Sequence, residues 1–336
     1  MEVRKKLTYW LVITFIFTSL ALQAKAQGKI SGLAYIDYYY IGDHHNENIK
    51  GKNGFWMRRV YFTYDHKLSS SFKVRFRLEG NSAGDFKSKT KIEPYIKDLY
   101  LEYKLDETSF FFGLSGTPTW DKVEKYWGYR SVEKTPVNLY KMGSPRDFGV
   151  AVKGYAANKK IYYHFMLANG EGIKGEINKE KKVYAAIGFS PVKETYFELY
   201  GDYAPGAEEN PDVFTLQAFF AYKRKEFTAG LQYGYQTHSG GEEDFNLQVA
   251  SGFVVFSLKE KVNFFARLDR MFQPNPYGEE ISYAPFDPTS PCTVLLTGLD
   301  FKVSNNFSFI PNLAYVNYDD ISASDFYLKF TMYIRW

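Results

Sequence analysis

A closed transmembrane antiparallel β-barrel of about sixteen strands is the fold class this sequence predicts, on three observations. Apolar and polar residues alternate with period two along most of the chain. The connections between alternating stretches are by turns short and long, and the chain ends on an amphipathic stretch closed by Trp336. Successive side chains of a strand face opposite ways, so this alternation gives each segment one apolar and one wet face.

Composition narrows the field in the same direction. Aromatics make up 19% of the 336 residues, with 29 Tyr and 30 Phe, and such residues favour pleated, half-buried surfaces over helices. Beyond the N-terminus no apolar run approaches the roughly 20 residues of a transmembrane helix, which excludes a helical bundle. One cysteine excludes a disulfide framework and any paired-cysteine metal or redox site. Mean hydropathy of −0.37 with 24% charged residues is too balanced for disorder.

The N-terminus reads as a leader. Arg4, Lys5 and Lys6 precede an uncharged stretch from Leu7 to Leu22, followed by Ala24-Lys25-Ala26. A basic start, an apolar middle and an A-x-A site are the parts of a cleaved secretory signal, here residues 1–26. The expected mature chain is 27–336. Removing four Lys/Arg and one Asp/Glu from totals of 42 and 38 leaves 38 against 37, a net charge of +1. A nearly neutral exported protein lacks the basic excess that nucleic-acid binding requires.

The strands then follow in order, at approximately 30–41, 55–67, 71–80, 95–105, 109–115, 146–155, 160–168, 182–190, 194–203, 213–223, 226–236, 248–258, 261–270, 293–302, 306–316 and 325–336. The clearest are Phe72-Lys73-Val74-Arg75-Phe76-Arg77-Leu78-Glu79 and the last, with Phe326, Leu328, Phe330, Met332, Ile334 and Trp336 on one face. Pro311 is the one irregular feature, since proline removes a ladder donor; a bulge or a shorter strand would accommodate it. Short turns at one end and long loops at the other are the pattern of bacterial outer-membrane barrels. A soluble sandwich or propeller also uses many alternating strands, but its strands are usually about 5–6 residues, shorter than many of these.

Sixteen strands leave a water-filled lumen, so the wet faces become pore lining. Arg59, Lys73, Arg75 and Arg77 then face inward on the early strands, with Glu79, Asp98 and Glu102. The longest connection, 116–145, carries Trp120, Trp127 and Tyr129 besides Lys122, Lys125, Arg130 and Lys134. Folded inward it makes a constriction in which Lys122, Lys125 and Arg130 meet the wall cations; folded outward it is a lid. Cations in a narrow pore compensate anions for lost hydration, whereas in a wide one they are simply solvated.

Arg58-Arg59-Val60-Tyr61-Phe62, Phe76-Arg77-Leu78-Glu79-Gly80, Lys97-Asp98-Leu99-Tyr100-Leu101-Glu102, the segment Glu124 to Arg130 ending in Trp127-Gly128-Tyr129-Arg130, and Ser144-Pro145-Arg146-Asp147-Phe148-Gly149 resemble the phosphate-selective porin O and P family, chiefly over residues 30–155. The resemblance implies a sixteen-stranded, usually trimeric outer-membrane channel with an inward third loop and basic residues that guide anions. The chain departs from that pattern in its many inward acids and in Asp121, Glu124 and Glu133 of the long loop. The C-terminal strand, 326–336, also looks like the signal that barrel-insertion machinery recognises, and lipid and lipopolysaccharide are the surroundings it implies.

Catalysis finds little support. Of His44, His45, His66, His164 and His238, only His164 lies mid-strand on a wet face, without a Ser or Asp at a telling spacing. His44-His45 with Asp43 and Glu47 is a weak metal pattern, and no phosphate-cradling or dinucleotide motif is present. The expectation is therefore a passive channel without cofactor, metal or catalytic residues. Its rival is a plugged, non-conducting barrel: an adhesin, a structural protein or an outer-membrane hydrolase.

Overall fold

The computed structural model describes residues 28–206, 210–241 and 243–336; the expected leader, 1–26, lies outside the described residues. Sixteen antiparallel strands close into one barrel, each paired with its sequence neighbours and the first with the last. They are β1 (Gly28–Asp43), β2 (Asn53–Lys67), β3 (Phe72–Gly80), β4 (Tyr95–Leu105), β5 (Thr108–Gly116), β6 (Arg146–Ala156), β7 (Ile161–Ala168) and β8 (Lys182–Phe189). The second half comprises β9 (Thr195–Ala204), β10 (Asp212–Lys223), β11 (Phe227–Ser239), β12 (Phe245–Lys259), β13 (Val262–Met271), β14 (Cys292–Ser304), β15 (Phe307–Tyr318) and β16 (Ser324–Arg335). β11 reaches further than the sequence pattern suggests, so His238 ends a strand rather than lying in a loop.

Alternation sorts the two faces as expected. Leu199 and Leu231 are 69% and 62% exposed on the outside, while their neighbours Tyr200 and Gln232 are buried inside. Pro311 stays within β15. The ladder to β14 skips Ile310 and Pro311 and resumes in the same register at Phe309, so the missing N–H breaks two pairings without ending the strand. Closure comes from ten pairings between β1 and β16, from Leu33 opposite Arg335 to Asp43 opposite Phe326.

Two β-bulges break the parity of β2 and β4. Tyr35 pairs with Arg59 and Ile36 with Met57, which leaves Arg58 as the extra residue of β2. Arg77 pairs with Asp98 and Leu78 with Ile96, which leaves Lys97 extra in β4. A bulge sets two adjacent residues against one on the partner strand and re-aims a side chain. Arg58 and Arg59, and likewise Lys97 and Asp98, therefore all turn inward.

Residues 117–145, the longest connection, lie inside the barrel. They fold into a 3-10 turn (Pro118–Trp120) and two short helices, α1 (Asp121–Trp127) and α2 (Pro136–Leu139). Asp121 and Glu124 in the first turn suit the positive end of α1. Gly128 ends the helix at φ 73°, where its N–H bonds the Glu124 carbonyl at 2.9 Å, a conformation that a side chain disfavours.

Candidate functional site

The inward loop does not hang in the middle of the lumen. Its 3-10 turn touches β7, β8 and β9, α1 touches β10 and β11, and α2 touches β11 and β12. The cause is apolar burial. On these later strands Phe219, Phe253, Phe265 and Ile310 occupy the wet face, and Val123, Trp127, Tyr129 and Val132 of the loop pack on them. The Tyr129 ring stacks on Phe265 at 4.2 Å, and Trp127 meets Phe253 edge-on at 5.3 Å. Val137, Leu139, Tyr140 and Met142 continue this contact against Leu247, Val249 and Val294. Backbone carbonyls of the loop are satisfied as well: Gln217 donates to Thr119 at 2.9 Å, Arg267 to Lys134 at 2.7 Å and Gln236 to Met142 at 2.7 Å. One half of the lumen is thereby filled.

Open space begins along the other half, between the loop and β1–β6, and continues beneath the loop to the short-turn ends of β10–β16. A cavity of about 230 Å³ begins beneath Ser282 and Tyr283 of the β13–β14 connection and is lined by Tyr35, Arg59, Lys97, Arg130 and Lys134. It shares Tyr35, Arg59, Lys97 and Arg130 with a second cavity of about 330 Å³. That one shares Lys125 with a third, of about 590 Å³, bordered by the short turns at Arg224-Lys225 and Ser304-Asn305. The three succeed one another from the long-loop end to the short-turn end.

Around the middle cavity Arg59, Arg77, Lys97, Lys125, Arg130 and Arg146 face Asp121 and Glu124. The wall carboxylates are each shared between two cations. Glu79 lies 2.7 Å from Arg59 Nε and 3.0 Å from Lys97 Nζ. Asp98 lies 3.0 Å from Arg77 and also accepts from Arg146 Nε. Each triad keeps one net positive charge. Tyr61 separates them, with the guanidinium of Arg59 5.1 Å and that of Arg77 4.7 Å from its ring centre. In the loop, Arg130 lies 2.9 Å from Glu124.

The seven sequence-predicted residues thus divide. Arg59, Arg77, Lys125 and Arg130 come together at one cavity. Lys73 and Arg75 share the inner face of β3 but lie nearer the short-turn end, each matched by one carboxylate: Lys73 by Glu102 at 2.9 Å, Arg75 by Asp65 through two 2.8 Å bonds. Lys122 turns towards β6 and β7, donating to the Tyr155 hydroxyl at 2.6 Å and lying 4.0 Å from the Tyr162 ring centre. The residues missed are Lys97 and Arg146. Strict parity hides Lys97, because only the bulge turns it inward; its signal is the adjacent polar pair Lys97-Asp98 inside an apolar alternation. His164 is buried, with the Tyr162 hydroxyl 3.4 Å from its Nδ1, and among the described residues no Ser, Thr or Cys hydrogen-bonds to it.

No protein-family model matches the chain, and no curated protein sequence does. Solved structures do match in fold. An anion-selective porin from Comamonas acidovorans superposes with a TM-score of 0.69 at 11% identity, over 92% of this chain and 99% of that one. The outer-membrane channel DcaP of Acinetobacter baumannii gives 0.63 at 10% identity, over 93% and 98%. The trimer form of OmpT, an outer-membrane protein of Vibrio cholerae, gives 0.63 at 10% identity, over 92% and 99%. The architecture is that of outer-membrane porins.

Proposed function

We propose that this chain is a bacterial outer-membrane porin, exported by a cleaved leader, through which small solutes diffuse passively with a bias towards anions. The observation that carries the reading is the succession of three cavities beside the inward loop, the middle one bordered by six cations that outnumber their carboxylates, Asp121, Glu124, Glu79 and Asp98, by two. Uncompensated positive charge at a constriction replaces hydration that an anion gives up on entering. Phosphate belongs among the candidate solutes through the resemblance of residues 30–155 to the phosphate-selective porins. The abundance of inward carboxylates argues for preference rather than strict selection.

The apolar outer face suits lipid and lipopolysaccharide, and the terminal strand with Trp336 suits recognition by insertion machinery. The anion-selective and trimeric neighbours support anion bias and a homotrimer respectively. The decisive experiment is single-channel recording on the refolded 27–336 chain under a KCl gradient, then with added phosphate. Stable steps with an anion-biased reversal potential are expected, with block by phosphate if the site is specific. A heat-modifiable, folded barrel that never conducts refutes the channel and leaves a plugged barrel.

A further inference from the structure

Along its first two cavities the passage runs between the β1–β5 wall and the inward loop, and among the described residues one side chain of that wall bonds the loop's backbone. Arg58, the bulged residue of β2, donates from Nη1 to the Val132 carbonyl at 2.5 Å and from Nη2 to the Ser131 carbonyl. Its root is fixed equally firmly. Arg58 Nε lies 2.8 Å from Asp37 Oδ2 and Nη2 lies 3.0 Å from Asp37 Oδ1. Asp37 in turn accepts from Trp56 Nε1 at 2.9 Å and from the Thr331 hydroxyl at 2.5 Å, so β1, β2 and β16 all brace the guanidinium.

We infer that Arg58 is a positioning residue: a strut across the passage that sets how far the loop stands from the wall, and hence the width open to solute. This rests on the diffusion-channel reading. Ser131 and Val132 sit between Arg130 and Glu133-Lys134, which line the passage, so holding those two carbonyls holds the lining. Gln217, Gln236 and Arg267 bond the loop's backbone from the opposite half of the barrel, which draws it away from this wall. Only the planar fork of arginine can serve Asp37 and two carbonyls at once; a lysine offers one point of attachment. Because those bonds engage its N–H groups and Asp37 balances its charge, Arg58 adds little to the field an ion meets. Its neighbour Arg59, facing the cavity and sharing Glu79 with Lys97, supplies that field. Width and ion preference are thereby assigned to adjacent residues.

The test compares three refolded variants with the unaltered 27–336 chain in planar bilayers. Asp37→Asn with Arg58→Gln removes the strut without stranding a buried charge. Arg58→Lys keeps the charge and loses the fork, and Arg59→Gln is the contrast. The first two should raise single-channel conductance about twofold and increase open-channel noise, with a shift of the reversal potential towards zero that is small beside that of Arg59→Gln, because a freed loop edge widens a constriction without removing its charge. Arg59→Gln should shift the reversal potential instead. Unchanged conductance and noise in folded, heat-modifiable variants, or a reversal-potential shift with Arg58→Lys as large as that with Arg59→Gln, overturns the strut while leaving the channel standing. A wild-type barrel that does not conduct overturns both. Should the double variant fail to fold, Arg58→Lys alone decides.

Discussion

Replacing Arg77 by Gln, against the same change at Lys73 and Arg75, tests whether ion preference resides in the cavity or in the whole inner face of β3. All three lie on one face of one strand, yet Arg77 belongs to a triad in which one carboxylate, Asp98, serves two cations. Arg77→Gln takes that triad from one net positive charge to none while Asp98 keeps Arg146, so no carboxylate is stranded. An anion passing at about 4 Å in a wet passage loses about 1 kcal/mol, which is about fivefold in occupancy. Lys73 and Arg75 are each paired one to one, outside the middle cavity. For an ion at about 10 Å the same charge is worth about 0.4 kcal/mol before screening, and a Debye length of about 10 Å at 0.1 M salt reduces it to a change under about 1.5-fold.

The assay is the reversal potential of each variant in planar bilayers under a KCl gradient. Arg77→Gln should lower the anion-to-cation permeability ratio at least about fivefold, since the anion loses what a cation gains, with Lys73→Gln and Arg75→Gln close to the unaltered channel. Equal effects at all three positions would mean that the field is spread along the strand, and the triad argument would fail. No effect even when all three are neutralised together would remove the wall cations from ion selection altogether.

Other consequences can be checked on the folded barrel. Trp127→Ala empties a fully buried site between Phe253 and Phe265 and should cost about 3–5 kcal/mol of loop docking, seen as faster proteolysis within 117–145 while the barrel stays heat-modifiable; cleavage at the wild-type rate would refute it. In the β1–β2 connection, burial works against the His45 imidazolium, but hydrogen bonds to Asp325 and Glu279 outweigh it and hold its pKa above the ordinary 6.5. A raised folded-state pKa contributes stability fully present below 6.5 and lost as pH rises through the higher value. Amide exchange over 44–52 should therefore accelerate as pH climbs above 6.5, beyond the intrinsic base-catalysed rise, and His45→Gln should abolish that excess.

What the sequence discloses about this molecule, and what it hides, follows from the range of the interactions involved. Strand number, the amphipathic last strand and the long connection are local properties, carried by period-two alternation and loop length. The run from Phe72 to Leu78 could hardly fold otherwise and keep one face dry. The triads are not local: Arg146 meets Asp98 across 48 residues and Arg59 meets Glu79 across 20, and no spacing rule in one chain pairs them. The bulges stand between these cases. Arg58-Arg59 and Lys97-Asp98 are adjacent polar pairs inside otherwise apolar alternation, which is how a strand is written when two neighbours must face the same way.

The position of the loop was equally open to the same kind of reading. Wet faces of the early strands carry Arg59, Arg75, Arg77 and Glu79, whereas those of the later strands carry Phe219, Phe253, Phe265 and Ile310. Large apolar side chains facing the lumen of a water-filled barrel need a cover, and the one long connection carrying two tryptophans is the segment able to supply it. The polar half is then left uncovered, and the two cavities rich in wall cations lie along it before the passage turns beneath the loop to the β10–β16 turns. The asymmetry between the wet faces therefore decides both where the loop docks and which cations an ion can meet, and parity alone could not separate Arg77 from Lys73.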